Sequence, residues 1–456
     1  MSTAIERELG AICAPGALID RTRREYLHDA TEHEGLAGEA SAIVAPGSED
    51  ELSRVLGWCY EHDVAMVPRG GGTGFAGGSV PLGREVVVST ERLDSVLELE
   101  PGLWRMRVEA GVRTARVHRL ARENGLAFPP DPGAAEDSMV GGNIATNAGG
   151  PHAFKYGVTG TWITGLRAAL PDGRLIEVGG PVRKDVAGYD LKSLLIGSEG
   201  TLGVITSAWL RLIPAPEHRA PIVALYADIA AGIGALLNVL AQGVVPAALE
   251  YLDAGALASA AGAFPALLPE GAAFMVVAEA DGSRAETEAA VAGLREALGP
   301  GALALHAPEG RADVEALWCW RDGVSLAVAA RKGGKLSEDI VVPLDRLGEA
   351  IERTIEIGAR HRLGACSWGH AGDGNLHSTF SVDPSDEGEI ERARAAAEEL
   401  FALAVELGGS VSGEHGLGWV KRGQLERQWG DAALRLHREI KRLFDPKGLM
   451  NPGKKV

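Results

Sequence analysis

The sequence predicts an α+β chain built from more than one domain. Three observations carry that reading. Its 456 residues exceed what one core ordinarily organises. Three glycine-rich stretches each adjoin short apolar runs, the mark of loops joining regular elements. After Pro214 and Pro216 the composition shifts toward Ala, Leu and Gly at helical spacing. With 46% hydrophobic and 23% charged residues the chain reads as an ordinary soluble globular protein. A net charge of −17 argues against nucleic acid and against a polybasic membrane contact. Cys13, Cys59, Cys319 and Cys366 are scattered with no C-x-x-C, which excludes a ferredoxin-type cluster and gives no disulfide framework. Glu6 and Glu8 flank Arg7 where a leader would be positive, and no apolar run approaches the ~18 residues of a spanning helix. The expectation is a cytoplasmic, reduced protein without a transmembrane segment.

Taken in order, residues 1–37 read as a charged helical arm lying on the surface of the adjoining domain. Ser48 with Glu51 makes a capping box, which starts a helix over Glu49–Glu61. Val64–Val67 reads as a buried strand and leads into Arg69–Pro81, where six of thirteen residues are glycine. Such a loop can turn its backbone N–H groups inward toward phosphate oxygens. It contains a formal G-x-G-x-x-G, Gly72 to Gly77, but Gly78, Ser79, Pro81 and a second strand at Val86–Val88 come next, where a dinucleotide fold needs a helix. The nicotinamide reading is therefore rejected. Arg105–Val112 alternates as a strand, and Arg113–Asn124 reads as a helix closed by Gly125. Pro129–Pro132 is extended or turning. A second glycine loop spans Gly141–Gly150, and a third glycine-laced turn lies within Leu194–Thr206, between two apolar strands. Beyond the boundary, Ile229–Ala241 is a buried helix, and Phe274–Ala278 and Ile340–Val342 are strands. A strong helix runs over Gly388–Leu407, with Ser385 or Asp386 as cap and Gly408-Gly409 as stop, and the tail Phe444–Gly453 is too turn-rich for a helix.

Chemistry concentrates in the second region. His370 and His377 enclose Asp373-Gly374, a turn that lets two flanking strands present both imidazoles to one point. Glu414 and His415 lie further on, between Gly413 and Gly416, and neighbouring residues of an extended segment point oppositely. Two histidines and a carboxylate form a common catalytic divalent-metal set with positions open for substrate. The competing reading leaves both histidines as partners of loop hydrogen bonds.

Together the motifs P-R-G-G-G-T-G, G-G-N-I-A-T-N-A-G-G, I-G-S-E-G-T-L-G-V-I-T, G-H-A-G-D-G-N-L-H, S-G-E-H-G-L-G and N-P-G-K resemble the FAD-linked 2-hydroxyacid dehydrogenases, from about residue 38 onward. These include the glycolate oxidase flavin subunit, D-lactate dehydrogenase and D-2-hydroxyglutarate dehydrogenase. The resemblance implies a two-subdomain FAD-binding fold of the vanillyl-alcohol oxidase type plus an α+β substrate (cap) domain. The implied bounds are 38–215 for the FAD domain, 216–442 for the cap and 443–456 for a segment returning to the FAD domain. It implies FAD contacts at Pro68, Arg69, Gly70, Gly71, Gly72, Thr73, Gly74, Gly77, Gly78 and Ser79 around the pyrophosphate. Pro132, Gly142, Asn143, Thr146, Gly149, Glu199, Gly203, Ile205 and Asn451 are the further contacts. The first loop has no histidine or cysteine to tether the flavin, so FAD is expected to be non-covalent, with His152 the one nearby exception. His370, His377 and Glu414 become metal ligands, for zinc with manganese or iron as alternatives, and His415 the base on the substrate hydroxyl. Arg321, in W-C-W-R, matches the arginine for the substrate carboxylate, against the bland reading of a surface arginine on an amphipathic helix; Lys335 is a weaker second contact.

The implied reaction is oxidation of a small (D)-2-hydroxy acid to the 2-oxo acid, with hydride passing to flavin N5. D-2-Hydroxyglutarate dehydrogenases carry an asparagine where this chain has Thr379, and their extra lysine does not align cleanly with Lys335. Both departures favour glycolate or D-lactate. The rival readings are a metal-dependent hydrolase, a non-catalytic electron-transfer flavoprotein subunit, and an alkyl-dihydroxyacetone-phosphate-synthase-like reaction. Reoxidation calls for a separate acceptor: an iron–sulfur subunit, a quinone, an electron-transfer flavoprotein or a cytochrome. Attachment to a membrane would then be peripheral, through that partner, and a homodimer is compatible with the sequence.

Overall fold

The computed structural model describes residues 4–31 and 35–455. The chain divides into two compact units, Met1–Gly149 with Val158–Ala215 and Glu414–Val456, and Gly150–Gly157 with Pro216–Gly413.

The first unit is built on two sheets. Strands β1 (Leu18–Ile19), β2 (Ala42–Val44), β3 (Met66–Arg69) and β4 (Val86–Ser89) are ordered β1-β2-β4-β3. The last three are parallel and β1 is antiparallel to β2. β4 is buried along its whole length, which is why it reads as an unbroken apolar run rather than an alternating one. The helix Glu49–Glu61 turns Leu52, Val55, Leu56 and Cys59 into the same core at helical spacing, and the Ser48 hydroxyl accepts the Glu51 N–H at 3.2 Å. The second sheet holds β5 (Val96–Glu100), β6 (Arg105–Glu109), β8 (Ile163–Ala169), β9 (Leu175–Gly179) and β10 (Val204–Arg211) in the antiparallel order β5-β6-β10-β8-β9. A short pair, β7 (Leu126–Ala127) with β11 (Ile213–Pro214), stands apart from it.

Several expectations need correcting here. Only Ala4–Ile12 of the supposed arm is α-helical, and part of the stretch lies outside the described residues. Leu9, Cys13 and Ala17 are buried in the core with Leu52 and Val55, while Leu18–Ile19 extends the sheet. Charged neighbours hide that apolar face. The second glycine stretch is helical over Val140–Thr146 despite its two glycines. Gly141 is packed so closely on Ala110 that a Cβ would meet that methyl at 2.6 Å, so tertiary contact overrides helix propensity. A helix at Leu191–Leu195, not a strand, precedes the third turn, because Asp190 accepts the Ser193 N–H at 3.0 Å as its cap. The chain rejoins the first unit at Glu414 rather than near residue 443. Trp419 N–H donates to Ala76 O at 2.7 Å, and Met450 bridges Met66 beside β3.

The second unit is one seven-stranded antiparallel sheet. β12 (His218–Tyr226), β13 (Ala248–Asp253), β14 (Phe274–Gly282), β15 (Ala304–His306), β16 (Gly334–Val341), β17 (Gly364–Gly369) and β18 (Asn375–Val382) are ordered β15-β12-β14-β13-β17-β18-β16. Val223, Leu225, Met275 and Val277 face a cluster with Leu317, Trp320 and Trp368. Each such side chain contributes about 1.5–3 kcal/mol of burial. The helix Leu347–Arg360 buries Leu347, Ile351, Thr354 and Gly358 along one stripe. The helix Glu387–Glu406 begins at Asp386, whose carboxylate accepts the Glu389 N–H at 3.1 Å, and Gly408 at φ +81° ends it.

The short excursion Gly150–Gly157 is tied to this sheet by two buried carboxylates of β14. His152 Nε2 lies 2.9 Å from Glu279, which also accepts the Trp318 indole N–H at 2.6 Å. Asp281 accepts the Tyr156 hydroxyl at 2.6 Å and pairs with Lys155. Phe154 lies where a Cβ on Gly372 would meet its ring at 2.5 Å, so the glycine is what lets the ring seat against that turn.

Asp253 ends β13 and holds two elements at once: it accepts the Ala256 N–H at 2.9 Å and the Ser367 N–H at 2.7 Å. Burial raises its carboxyl from 3.8 to about 6, so the folded form keeps a proton that the unfolded chain has released. Its contribution to stability therefore falls as pH rises from about 4 to 6 and stays unfavourable above. Asp253→Asn keeps an acceptor oxygen. It is expected to be more stable than wild type at pH 7 by on the order of 1–3 kcal/mol, with the advantage vanishing near pH 4. Denaturant melts of both proteins at the two pH values measure the difference.

Candidate active site

In the first unit the three glycine segments and the closing N-P-G-K converge. A Cβ on Gly70 would stand 3.5 Å from the Gly142 backbone, and one on Gly200 would stand 3.1 Å from the Pro68 ring. Asn451, at φ +49°, donates its amide to Gly78 O and Glu199 O, both at 2.9 Å. Lys454 donates to Asn451 Oδ1 at 2.8 Å and Val80 O at 2.6 Å, and burial pulls its ammonium down to about 8. Among the described residues, no partner within the chain meets the backbone N–H groups of Gly71, Gly72, Thr73 and Gly74. Beside Gly74, Gly78 and Gly142 a Cβ would meet nothing within 4 Å. Unpaired donors along a loop with room for a ligand at its glycines fit a pyrophosphate and a flat ring system.

Not every predicted contact offers its side chain. Arg69 is buried, with its guanidinium on the carbonyls of Glu25 and His28 and on Ser79 Oγ, so it fastens the N-terminal segment behind the loop. Asn143 donates to Thr114 Oγ1 at 2.6 Å, and Thr146 Oγ1 to Gly142 O at 3.2 Å. Glu199, at φ +53°, accepts Leu417 N–H at 3.0 Å, Gly418 N–H at 2.6 Å and the Lys455 ammonium at 2.9 Å. Gly203 packs on the Ala169 carbonyl, Ile205 is buried in β10, and a Cβ on Gly149 would meet the Glu414 carboxylate at 2.9 Å. A Cβ on Gly77 would meet the Leu36 side chain at 2.5 Å. Pro132 is half-buried in the connection to Val140, and no hydrogen bond among the described residues ties it to the loops. His152, the exception allowed for a covalent flavin, is engaged by Glu279 in the second unit.

In the second unit the Asp373-Gly374 turn forms as expected. β17 and β18 flank a single 3₁₀ turn, and Gly374 takes φ +67° where a Cβ would strike the Val342 carbonyl. His370 and His377 are buried with ring centroids 5.5 Å apart, nearly perpendicular. Asp339 lies opposite His377 in the β16–β18 register, and its Oδ2 accepts the Ser412 hydroxyl and the Gly413 N–H, both at 2.8 Å. Glu414 is peptide-bonded to Gly413 and is thereby carried to the same strand end. His370, His377 and Glu414 each offer one ligand atom, and these atoms lie within 4.8 Å of one another. His415, the next residue, stacks on Phe75 of the first glycine loop at 4.6 Å.

Arg321 is not a surface arginine. It lies in the last turn of the helix Arg311–Asp322, is buried, and pairs with Glu250 of β13. The other oxygen of Glu250 lies 2.7 Å from His370 Nδ1. Full burial works against the Glu250 carboxylate, but Arg321 and His370 outweigh it and hold its pKa below the usual value. The Nε of Arg321 is buried with no hydrogen-bond partner among the described residues. Lys335 places its ammonium 5.6 Å from the Trp368 ring, and Thr379 Oγ1 shares a 2.7 Å hydrogen bond with Ser337. Sequence reasoning misses Glu250 and Asp339 as site-building residues. For Glu250 a signal is available: it is a carboxylate set in the apolar run A-A-L-E-Y-L, which only a buried partner makes tolerable.

Residues 215–455 match the C-terminal domain of FAD linked oxidases, and residues 40–179 match the FAD binding domain. The chain is 36% identical over 433 residues to glycolate oxidase subunit GlcD of Bacillus subtilis (strain 168), covering 95% of this chain and 92% of that one. It is 36% identical over 422 residues to D-lactate dehydrogenase of Archaeoglobus fulgidus, covering 92% of each. With D-2-hydroxyglutarate dehydrogenase of Xanthomonas citri pv. viticola it shares 35% over 428 residues, 91% of this chain and 88% of the other. The 4-ethylphenol oxidase from Gulosibacter chungangensis has the same fold at a TM-score of 0.80 and 18% identity, over 99% of this chain and 96% of that one. A p-cresol methylhydroxylase gives 0.80 at 15% identity, with the same coverage of 99% and 96%. With an FAD-binding domain and an FAD-linked oxidase domain matched in one continuous chain, this protein belongs to the FAD-linked oxidase family of the glycolate oxidase, D-lactate and D-2-hydroxyglutarate dehydrogenases, and is an FAD-dependent oxidoreductase.

Proposed function

We propose that this enzyme oxidises a small (D)-2-hydroxy acid, glycolate or D-lactate, to the 2-oxo acid with a divalent metal at His370, His377 and Glu414. The observation that carries the reading is the meeting of two buried imidazoles and a carboxylate within 4.8 Å. Two nitrogens and an oxygen suit zinc, with manganese or iron as alternatives. Bound FAD supplies the hydride acceptor, and the cation supplies Lewis acidity toward the hydroxyl oxygen.

The chain's own groups do the rest. His415 takes the proton from the C2 hydroxyl, its ring steadied by the Phe75 stack. Arg321 offers its unpaired Nε–H to the substrate carboxylate, with its charge already balanced by Glu250. Lys335, in β16, is the second cation for that carboxylate. Thr379 spends its hydroxyl on Ser337, which removes a polar contact for a longer acid and favours a short one. Arg69, Asn451 and Glu199 act by positioning the cofactor loops. FAD would be held without a covalent bond, since His152 is occupied by Glu279. The enzyme then needs a separate acceptor: an iron–sulfur subunit, a quinone, an electron-transfer flavoprotein or a cytochrome. Among the described residues no helix is long and apolar enough to cross a membrane. A cytoplasmic homodimer, peripheral to the membrane only through its acceptor, is compatible with this reading. Membership of an FAD-linked oxidoreductase family removes the hydrolase alternative.

Three measurements bear on it. Anaerobic addition of glycolate or D-lactate is expected to bleach the flavin rapidly, and prior chelation to abolish the bleaching until zinc or manganese is restored. Bleaching that ignores the chelator would sink the metal role. His415→Ala is expected to lower the rate of flavin reduction by about 10²–10⁴ while retaining bound FAD, measured by stopped-flow absorbance. Gly142→Val places atoms in open space beside the loop. It is expected to leave the melting temperature of the flavin-free protein nearly unchanged while the flavin is lost on gel filtration.

A further inference from the structure

We propose that Glu250 is the residue that positions His370 for the metal, by accepting its Nδ1–H and leaving Nε2 as the ligand atom. The proposal rests on the metal reading above and adds a residue to it. Glu250 lies in the run A-A-L-E-Y-L-D, and β13 is buried at every position. A carboxylate there is tolerable only if both oxygens are engaged. They are divided between two partners: Oε1 is 2.7 Å from His370 Nδ1, and Oε2 forms an ion pair with Arg321 Nη2 that lacks hydrogen-bond geometry. An ionised carboxylate can only accept, so this contact places the imidazole proton on Nδ1. The Nε2 lone pair is then directed away from Glu250. A carboxylate behind a metal-binding histidine also raises its basicity and fixes the plane of its ring. Arg321 is the other half of the device, because it keeps Glu250 charged inside an apolar strand. One guanidinium therefore serves twice, holding the orienting carboxylate through Nη2 while Nε stays available for an anion.

The alternative is an ion pair that merely stabilises the sheet, and the test separates the two. Full-length protein with FAD is stripped of metal, and zinc is titrated against a chromophoric chelator. Glu250→Gln alone strands a buried guanidinium and can fail to fold, so the decisive protein is Glu250→Gln/Arg321→Met, which removes both charges together. Glu279→Gln, in the neighbouring strand and likewise facing a histidine, is the control. The expected result is about one zinc per wild-type chain and a 10–100-fold weaker zinc affinity in the double variant. The control should retain wild-type affinity, and the metal-free melting temperatures should be similar. Wild-type zinc affinity in the double variant would overturn the role of Glu250 and leave the metal reading standing. An equal loss in Glu279→Gln would also overturn it, by marking the effect as general destabilisation. If wild type binds no zinc, manganese or iron, the metal reading itself falls and Glu250 with it.

Discussion

Two backbone N–H groups and an ammonium converge on the buried carboxylate of Glu199, and most of the first unit's site depends on that meeting. The N–H groups belong to Leu417 and Gly418, shortly after the Glu414-His415 pair. The ammonium is Lys455, near the end of the chain. The Glu199 carbonyl in turn receives the Asn451 amide, which also reaches Gly78 of the first loop. Gly78 and Asn451, 373 residues apart in sequence, are thus pinned to one point. A charge-assisted bond to backbone N–H is stronger than a neutral one and depends little on the side chain of the residue that donates it. His415, the base in the proposed reaction, is placed by the backbone beside it rather than by its own contacts alone.

The second unit uses the same economy in another form. Its antiparallel sheet carries carboxylates where apolar side chains are expected, at Glu250, Glu279, Asp281 and Asp339, all buried. Each is matched by a donor from a different part of the chain: Arg321 and His370, His152 and Trp318, Lys155 and Tyr156, Ser412 and Gly413. Such groups contribute little net stability, because desolvation offsets their attraction. Their effect is on register and direction. A slip of β18 against β16 by one residue would turn His377 to the opposite face and separate Asp339 from the loop that leads to Glu414.

Legibility in the sequence tracks the range of the forces involved. The helix Glu49–Glu61 and the cap at Asp386 are local, set by spacing and by one side-chain hydrogen bond, and both can be read directly. The turn between His370 and His377 is legible for the same reason, since Asp-Gly demands a positive φ that Gly374 supplies. The N-terminal stretch misleads because burial of Leu9 and Ala17 is decided by strands that lie tens of residues away. Gly141 and Gly142 look like a loop because helix propensity is a local scale, whereas the packing of Gly141 on Ala110 is not. Arg321 is recognisable but its partner is not: nothing at residue 321 announces a carboxylate at residue 250.

The short passage Gly150–Gly157 has a consequence for how the chain must be made. The polypeptide crosses between its two units four times, and this passage accounts for two of the crossings. A ribosome therefore emits eight residues of the second unit long before β12 to β18 exist. His152, Lys155 and Tyr156 must wait there until β14 delivers Glu279 and Asp281. The first unit in turn is complete only when Asn451 and Lys455 have been synthesised. Neither unit matches a contiguous stretch of gene, so excising residues 216–413 as a domain would strip Asp281 of Lys155 and Tyr156, and Glu279 of His152. Evolution by swapping whole cap domains is correspondingly constrained to exchanges that carry the small insert along with them.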